Sequence, residues 1–567
     1  MSEIRKETAA EKVERLKREK NAWQCIDEIR SFAKNGWDSI PPEWLGMYFR
    51  SWGIYTQGDG GGALSGPGGQ GKSVPYFMVR IRIPNGILSS AQTRAIANLT
   101  EKHARGIADI TVRQNIQLHW VAVESLPEIL DTLHQHELTT TGACGDVVRN
   151  VVGCPVAGVD KDEIVDASPL VLEATKLFVG NGEFYNLPRK FKISITGCRV
   201  WCSYPEINDI GLTATTRKRR AGEEVGFSLR VGGGLSTDPH LGERLNAFVT
   251  WNQVIPVVKG IAEIFRDSDV LRKSRESARL KFLFLRHGWT AASFLEELQQ
   301  RIGFALDPAE PEEAPVDVVR DHIGIHEQKQ PALRYVGASV LRGRLSASQL
   351  HAVADVSEQF ASGQVRTTAM QNLLIPNVAE ANVGAVAGRL ALAGLPTQGS
   401  VFQRGTIACT GTEFCKIAIT ETKGFARWLT EELDQRLPGF EQQLKLHVTG
   451  CPNSCGQHWI ADIGLEGKKL KVNGKLTDAY YFCIGGGVGK HQAIARPVGY
   501  RCLAADVPDA IERLLKQYEA FRFPGENLRA FFTRHEAEDI RGWLAGEFVP
   551  PVERDAPSGR VPHGVEG

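Results

Sequence analysis

The pattern of apolar and polar residues predicts both helices and strands along this chain. Residues 1–50 predict an N-terminal helical segment whose tryptophans and other apolar residues pack onto the rest of the protein. Residues 76–83, YFMVRIRI, alternate as a β-strand does. No stretch reaches the roughly 18 uninterrupted apolar residues of a membrane helix, and even residues 385–395 contain Arg389. We therefore expect a mixed α and β protein in the cytoplasm, without membrane binding.

An internal repeat organises the chain. Residues 86–92, GILSSAQ, recur as GRLSASQ at 343–349, an offset of 257. Residues 192–198, KISITGC, recur as KLHVTGC at 445–451, an offset of 253. Further matches follow in the same order along both copies, one between these two and others beyond them. They indicate a duplicated unit of two modules, and such a molecule is expected to bind its ligand between the two copies.

The balance of charged residues limits which kinds of molecule the protein is expected to bind. Lys and Arg number 67 against 66 Asp and Glu, and the resulting net charge of +1 predicts no strong attraction to nucleic acid or anionic membrane. The length corresponds to roughly three to four domains of about 150 residues. Because cytoplasmic proteins rarely hold disulfides, the 11 cysteines are expected to serve metal binding, catalysis or packing.

Four cysteines of the second copy lie in two short loops, as Cys409-x5-Cys415 and Cys451-Pro-Asn-Ser-Cys455. Four thiolates from two loops suit zinc or an iron–sulfur cluster. Zinc ribbons prefer C-x2-C knuckles, so this wider spacing, with Pro after the third cysteine, favours a [4Fe-4S] cluster.

The first copy has its own pair, Cys198-x3-Cys202, with Cys144 and Cys154 upstream. The upstream C-x9-C spacing differs from C-x5-C, and Arg199 and Trp201 replace the small Pro and Ser of the second copy. We interpret these residues as buried thiols, and a second cluster stays as the alternative.

The duplication and the four cysteines resemble the siroheme-dependent sulfite and nitrite reductases over about residues 40–545. The resemblance implies an α+β fold, internally duplicated about a pseudo-twofold axis, with two ferredoxin-like half-domains and two siroheme/[4Fe-4S]-binding α/β modules. It also implies siroheme and a [4Fe-4S] cluster as cofactors, with Cys455 bridging the cluster to the siroheme iron. The electron donor would be ferredoxin or an equivalent protein, and we expect a monomer.

The expected boundaries follow from this resemblance and from the composition. They are an N-terminal helical segment 1–50, half-domain 51–135, a siroheme and substrate module 136–302, a linker 303–332, half-domain 333–397, a [4Fe-4S]/siroheme module 398–547, and a disordered tail 548–567.

Basic residues of the first copy match the family's substrate pocket, and the four matching positions are Arg80, Arg149, Lys190 and Lys192. On a strand, residues 190 and 192 point to one face. Candidates for binding the siroheme carboxylates are Arg113, Arg275, Arg279 and Lys281. The alternative for 272–281 is an ordinary exposed basic helix. At the repeat offsets, Arg80 corresponds to Gly337 and Lys190 to Gln443, so one copy keeps the cations and the other keeps the thiols.

The resemblance implies a six-electron reduction of a small oxyanion. Nitrite reductases of this type usually carry Asn where this chain has Lys192, so we favour sulfite, with nitrite as the alternative. Tyr55 and Cys144 match a pair that is cross-linked beside the haem in some sulfite reductases. Remoter alternatives are a precorrin-modifying oxygenase and a non-catalytic metal-binding protein.

Overall fold

The computed structural model describes residues 7–63, 70–220, 222–311, 315–316 and 318–547. The predicted tail 548–567 lies outside the described residues. The strands are β1 (Ile54–Gly58), β2 (Ser73–Ile81), β3 (Ile87–Ser89), β4 (Ile107–Ile110), β5 (Ile116–Val121), β6 (Ile193–Thr196), β7 (Ile210–Arg219), β8 (Gly222–Val231), β9 (Glu243–Thr250), β10 (Gly324–Glu327), β11 (Leu333–Ala338), β12 (Arg344–Ser346), β13 (Gln364–Thr367), β14 (Leu373–Ala379), β15 (Thr406–Ala408), β16 (Leu446–Thr449), β17 (Ile463–Val472), β18 (Lys475–Ile484) and β19 (Arg496–Leu503).

The α-helices flank these strands. They are α1 (Ala9–Glu19), α2 (Ile26–Asn35), α3 (Phe49–Ser51), α4 (Ser90–His103), α5 (Leu126–Gln135), α6 (Ser168–Phe178), α7 (Val254–Arg266), α8 (Phe282–Arg286), α9 (Ala291–Ile302), α10 (Ala347–Phe360), α11 (Val383–Leu392), α12 (Val401–Gly405), α13 (Lys423–Arg436), α14 (Val507–Phe521), α15 (Leu528–Arg534) and α16 (Ala537–Ala545). Within the described ranges, no helix has both the length and the apolar character needed to cross a bilayer.

The two ferredoxin-like half-domains exchange strands. The first sheet has the order β1-β2-β5-β4-β12 and the second has the order β10-β11-β14-β13-β3. Each sheet therefore ends in a three-residue strand from the other copy, with Leu345 opposite Ala108 and Leu88 opposite Val365. This exchange ties the two copies into one apolar core that spans both half-domains.

The sequence repeat GxLSxxQ has a local structural cause. Ser89 and Ser346 are the N-cap residues of α4 and α10, and Gln92 and Gln349 complete a capping box at each helix start. The glycine of each motif has positive φ, at 70° and 68°, which suits glycine in the turn before the exchanged strand.

The two remaining sheets belong to the modules that carry the candidate site. Their orders are β6-β7-β8-β9 and β15-β16-β17-β18-β19, and each has a parallel pair beside long antiparallel strands. The sequences TGC at 196–198 and 449–451 begin at the last residue of β6 and of β16. A Cβ atom on Gly197 would lie 1.7 Å from the carbonyl oxygen of Val165, so only glycine fits this turn as it stands.

Two segments differ from the sequence expectation. Strand β10 lies inside the stretch assigned to the linker 303–332, yet it pairs with β11 in the second half-domain sheet. Its four residues alternate between exposed and half-buried and carry too little apolar character to signal a strand. The alternative of an ordinary exposed basic helix over 272–281 is wrong, since residues 273–281 are irregular and Arg279 and Lys281 are only 6% and 1% exposed.

Candidate functional site

The four predicted cluster cysteines lie at the ends of neighbouring parallel strands. Cys409 follows β15 and Cys451 lies two residues beyond β16, while Cys415 and Cys455 occupy the loops that continue from them. The backbone N–H of Gly450 donates to Cys409 Sγ at 3.2 Å, and Asn453 Nδ2 donates to Cys451 Sγ at 3.5 Å. Three of the thiols are buried or half-buried, whereas Cys455 is exposed.

The four thiols form one electrostatic group. Burial, and then the charge of Cys455, raises the pKa of Cys409 and raises the pKa of Cys415 to about 12. Even so, no three of these sulfurs lie within 4.8 Å of one another in the described part of the chain. The described sulfurs are therefore not gathered around one ion-sized point, and a [4Fe-4S] cluster bound by them would displace the thiol protons.

Arg80, on β2, faces this group from the first copy. Its Nη1 donates to Cys144 Sγ at 3.1 Å and its Nη2 donates to Gln117 Oε1 at 3.3 Å. Burial lowers the pKa of Arg80, but the charges of Cys144, Tyr55 and Cys455 raise it overall. The guanidinium therefore lies within electrostatic reach of the exposed cluster thiol.

Lys190 and Lys192 lie immediately before β6, and both are half-buried. Burial, with repulsion from Arg279 and Arg189, lowers the pKa of Lys190 to about 7, against an opposing influence of Cys455. Burial also lowers the pKa of Lys192 well below its ordinary value, with Arg113 adding repulsion. Both amines thus occupy a cleft in which positive charge lacks compensation.

Arg149 lies on a loop that Arg82, just beyond β2, holds in place. Arg149 Nε and Nη2 donate to the carbonyl of Gly145 at 3.0 and 2.8 Å. Arg82, 2% exposed, donates to the carbonyls of Val148 and Gly142 at 2.6 and 2.8 Å, and so it fixes the loop that carries Arg149. Sequence reasoning did not assign Arg82 a role, although the alternation of β2 places it on the same face as Arg80.

The residues predicted to bind siroheme carboxylates differ in how many hydrogen bonds and ion pairs they already make within the protein. Arg113 donates to Asn208 Oδ1 at 2.6 Å, while its Nε is buried without a partner. Arg279 pairs with Asp209 at 2.8 Å, and Lys281 donates to the carbonyl of Leu235 at 3.0 Å.

Arg275 belongs to a separate network around one carboxylate. Its Nη1 lies 2.6 Å from Asp146 Oδ2, and Arg189 and Lys17 approach the same carboxylate at 3.2 and 3.8 Å. Lys17 lies on α1, so the N-terminal segment closes one side of this cleft. Sequence reasoning missed Asp146 and Lys17, because only the folded chain brings residues 17, 146 and 275 together.

Tyr55 and Cys144 both lie beside Arg80. The guanidinium carbon of Arg80 lies 5.9 Å from the centre of the Tyr55 ring, and its Nη1 bonds the Cys144 sulfur. The cross-link between them stays a prediction.

The residues of the cleft fit an acidic cofactor. Arg80 Nε and Arg113 Nε are buried and unpartnered, and burial with repulsion from Arg149 lowers the pKa of Arg113 to about 9. Buried cations are unfavourable unless they are paired, so a ligand with several carboxylates would relieve their repulsion. The cation cleft and the four thiols together supply what siroheme and a [4Fe-4S] cluster require.

Comparison with known proteins agrees with this geometry. Residues 144–306 and 402–548 match the family described as "Nitrite and sulphite reductase 4Fe-4S domain", and residues 70–136 and 326–393 match "Nitrite/Sulfite reductase ferredoxin-like half domain". The assimilatory ferredoxin-dependent nitrite reductase of Haloferax mediterranei is 34% identical, over 93% of this chain and 92% of that protein.

Two mycobacterial comparisons add to this finding. The sulfite reductase [ferredoxin] of Mycobacterium tuberculosis is 35% identical, over 93% of this chain and 95% of that protein. The solved structure of the M. tuberculosis NirA protein has a TM-score of 0.88 and 33% identity, over 95% of this chain and 98% of that one. The predicted α+β duplicated fold is confirmed, and the chain belongs to the family of nitrite and sulfite reductases, oxidoreductases that carry siroheme and a [4Fe-4S] cluster.

Proposed function

We propose that this enzyme reduces sulfite to sulfide with six electrons taken one at a time from ferredoxin. The observation that carries the proposal is the cation set of the cleft: Arg80, Arg149, Lys190 and Lys192. Sulfite is a dianion at neutral to alkaline pH and has three oxygens, whereas nitrite is a monoanion with two. A fourth cation suits the former by charge balance.

The donor is inferred from two observations. Relatives that match more than nine-tenths of this chain are named as ferredoxin-dependent enzymes. The sequence also carries no G-x-G-x-x-G in a strand–helix context, so a dinucleotide-binding module of its own is not expected.

The basic residues share two tasks in this proposal, holding the substrate oxygens, to which Lys192 also contributes, and relaying protons. When bound, siroheme supplies the iron at which the oxyanion is reduced, and the cluster supplies the electrons. Arg80 and Arg149 hold the substrate oxygens and offset their charge. Lys190, an amine buried among other cations and within electrostatic reach of Cys455, can give a proton as oxygens leave as water.

The residues that would hold the cofactors are also distinct. Arg113, Arg279 and Lys281 would pair with siroheme carboxylates, and Arg275 would join them from the Asp146 network. The cluster would be bound by Cys409, Cys415, Cys451 and Cys455. Cys455, as the exposed thiol that faces Arg80 and Lys190, is the one placed to connect the two cofactors.

Nitrite reduction is the second candidate, because relatives with both names show nearly the same identity to this chain. Lys192→Asn separates the two. Removing one charge-assisted contact, worth about 1.5–3 kcal/mol, should lower kcat/KM for sulfite roughly 10- to 150-fold and lower that for nitrite less. The assay is reduction of each anion in parallel with reduced ferredoxin.

The matched control is Lys102→Asn, which removes the same charge from a surface ion pair with Glu128. It should leave the ratio of the two kcat/KM values unchanged. A wild type that clearly prefers nitrite, together with a ratio unmoved by Lys192→Asn, would contradict the sulfite assignment.

A further inference from the structure

The first copy holds three buried thiols that the reaction does not use. The Sγ atoms of Cys154, Cys198 and Cys202 all lie within 4.8 Å of one another, and Cys198 and Cys202 are 3.6 Å apart. The three residues are 1%, 2% and 8% exposed. They pack with apolar side chains that include Tyr335 and Leu374 of the second half-domain.

These thiols occupy positions equivalent to those of the cluster cysteines. Cys198 and Cys202 correspond to Cys451 and Cys455 at the offset of 253. Cys154 corresponds to Cys409, because Val152 bridges Ser194 in parallel as Ile407 bridges His447.

The loops after the two TGC sequences also adopt the same turns. Trp201 and Ser454 have φ of 59° and 54°, and Tyr204 and Gln457 have φ of 53° and 61°. The fourth position differs, since Asp160 stands where the second copy has Cys415, and its Oδ2 pairs with Arg320 Nη1 at 2.6 Å.

The spacing of the sulfurs distinguishes a single ion from a cluster. Zinc with Zn–S bonds of about 2.3 Å in tetrahedral geometry places its sulfurs roughly 3.8 Å apart. The Cys198–Cys202 separation of 3.6 Å is close to this value. In the second copy, no three of the four described cluster sulfurs approach within 4.8 Å. The first copy therefore has the same strand and loop arrangement as the cluster site, but its three sulfurs lie close enough together to bind one ion.

We propose that Cys154, Cys198 and Cys202 bind a single thiophilic divalent cation, of which zinc is the representative, at a structural site separate from the catalytic cofactors. Three thiolates around a divalent ion leave one negative charge. Arg320, which pairs with Asp160, lies within electrostatic reach of that charge: burial lowers the pKa of Arg320, but Asp160, Cys202 and Cys154 raise it overall.

The surroundings of the thiols indicate what such an ion would stabilise. His322 is 3% exposed, neither of its ring nitrogens has a hydrogen-bond partner, and it senses the charge of Cys198. It lies outside the group of three sulfurs that approach within 4.8 Å of one another, so it lines the site rather than completing it. The ion would join two loops of the first module to residues 320–322 and to the second half-domain sheet.

The test is metal analysis of the holoenzyme purified under reducing, anaerobic conditions and then incubated with Zn²⁺ and desalted. We expect about one zinc per chain in addition to the iron of the cofactors. Loss of a residue that only supports a metal ligand can already lower metal affinity about tenfold. Because Cys154→Ser and Cys198→Ser each remove a ligand, their zinc content should fall at least about tenfold, while the iron content and the siroheme spectrum stay unchanged. Cys502→Ser, which removes a buried thiol far from the site, is the control and should keep its zinc.

Zinc-edge X-ray absorption of the wild type tests the same ligands without a substitution, so it decides even if a variant does not fold. It should show sulfur neighbours at about 2.3 Å. Wild-type protein that retains no zinc, zinc that stays in both variants, or a first shell without sulfur would each overturn the proposal.

Discussion

Replacing Arg80 by alanine removes the first-copy cation that lies within electrostatic reach of the cluster thiols Cys455 and Cys415. Two of its nitrogens are already used, by Cys144 Sγ and Gln117 Oε1, and its buried Nε has no partner. The guanidinium is thus held in place by a sulfur and an amide oxygen rather than by a carboxylate, so its charge is available to an anion. We expect Arg80→Ala to lower kcat/KM strongly and to leave both cofactors bound.

The size of the effect follows from the kind of interaction that this substitution removes. A donor aimed at developing negative charge in a shielded site contributes about 2–4 kcal/mol of transition-state stabilisation. At about 1.4 kcal/mol per tenfold change, this predicts a fall in kcat/KM of roughly 30- to 900-fold. The thiol and amide left without a partner should lower the free energy of unfolding by only about 1–3 kcal/mol each.

The assay is steady-state reduction of the oxyanion with a reduced donor, alongside iron content and the siroheme absorbance. Arg94→Ala is the matched control, because Arg94 lies in surface ion pairs with Asp355 and Glu358 and should leave kcat/KM unchanged. If Arg80→Ala stayed within about threefold of wild type, a change of ~0.7 kcal/mol, the pocket role would be refuted. Loss of siroheme from the variant would instead make Arg80 a structural residue.

Two further predictions concern the cofactors. Serine at any one of Cys409, Cys415, Cys451 and Cys455 should lower the iron content of the protein. The controls Cys25→Ser and Cys502→Ser should not lower it. Unchanged iron content and an unchanged siroheme spectrum in Cys455→Ala would contradict the bridging role. In protein lacking siroheme, burial lowers the pKa of Lys190 from its ordinary 10.5 to about 7. The buried charge therefore destabilises the folded state fully below pH 7, and this destabilisation is lost progressively as the pH rises from 7 toward 10.5. The Tm of siroheme-free protein should therefore gain more between pH 6.5 and 9 than that of its Lys190→Met variant, and equal gains would refute this linkage.

The parts of the fold that could be predicted are those determined by a few consecutive residues. The repeat GxLSxxQ predicted a duplication, and each copy is a capping box that starts α4 or α10. The exchange of β3 and β12 could not be predicted, because a three-residue strand carries no signal for which sheet it joins.

The same limit applies to the cysteines. Sequence proximity grouped Cys144 with Cys154, but the fold places Cys144 beside Arg80 and Cys154 beside Cys198. The equivalence of Cys154 with Cys409 becomes visible only through strand pairing, since its offset of 255 differs from the 253 that relates the TGC sequences.

The two copies also differ at equivalent positions beside their cysteines. Both copies keep a lysine whose backbone N–H donates to an aspartate, Lys192 to Asp209 at 2.8 Å and Lys445 to Asp462 at 2.7 Å. The Tyr204 ring centre lies 5.1 Å from the Lys445 amine, and Tyr204 and Trp201 are each 5% exposed. Their counterparts in the second copy are the polar Gln457 and the small Ser454. The first copy thus places two aromatic rings where the second copy has smaller polar side chains, and the three sulfurs beside those rings lie within 4.8 Å of one another.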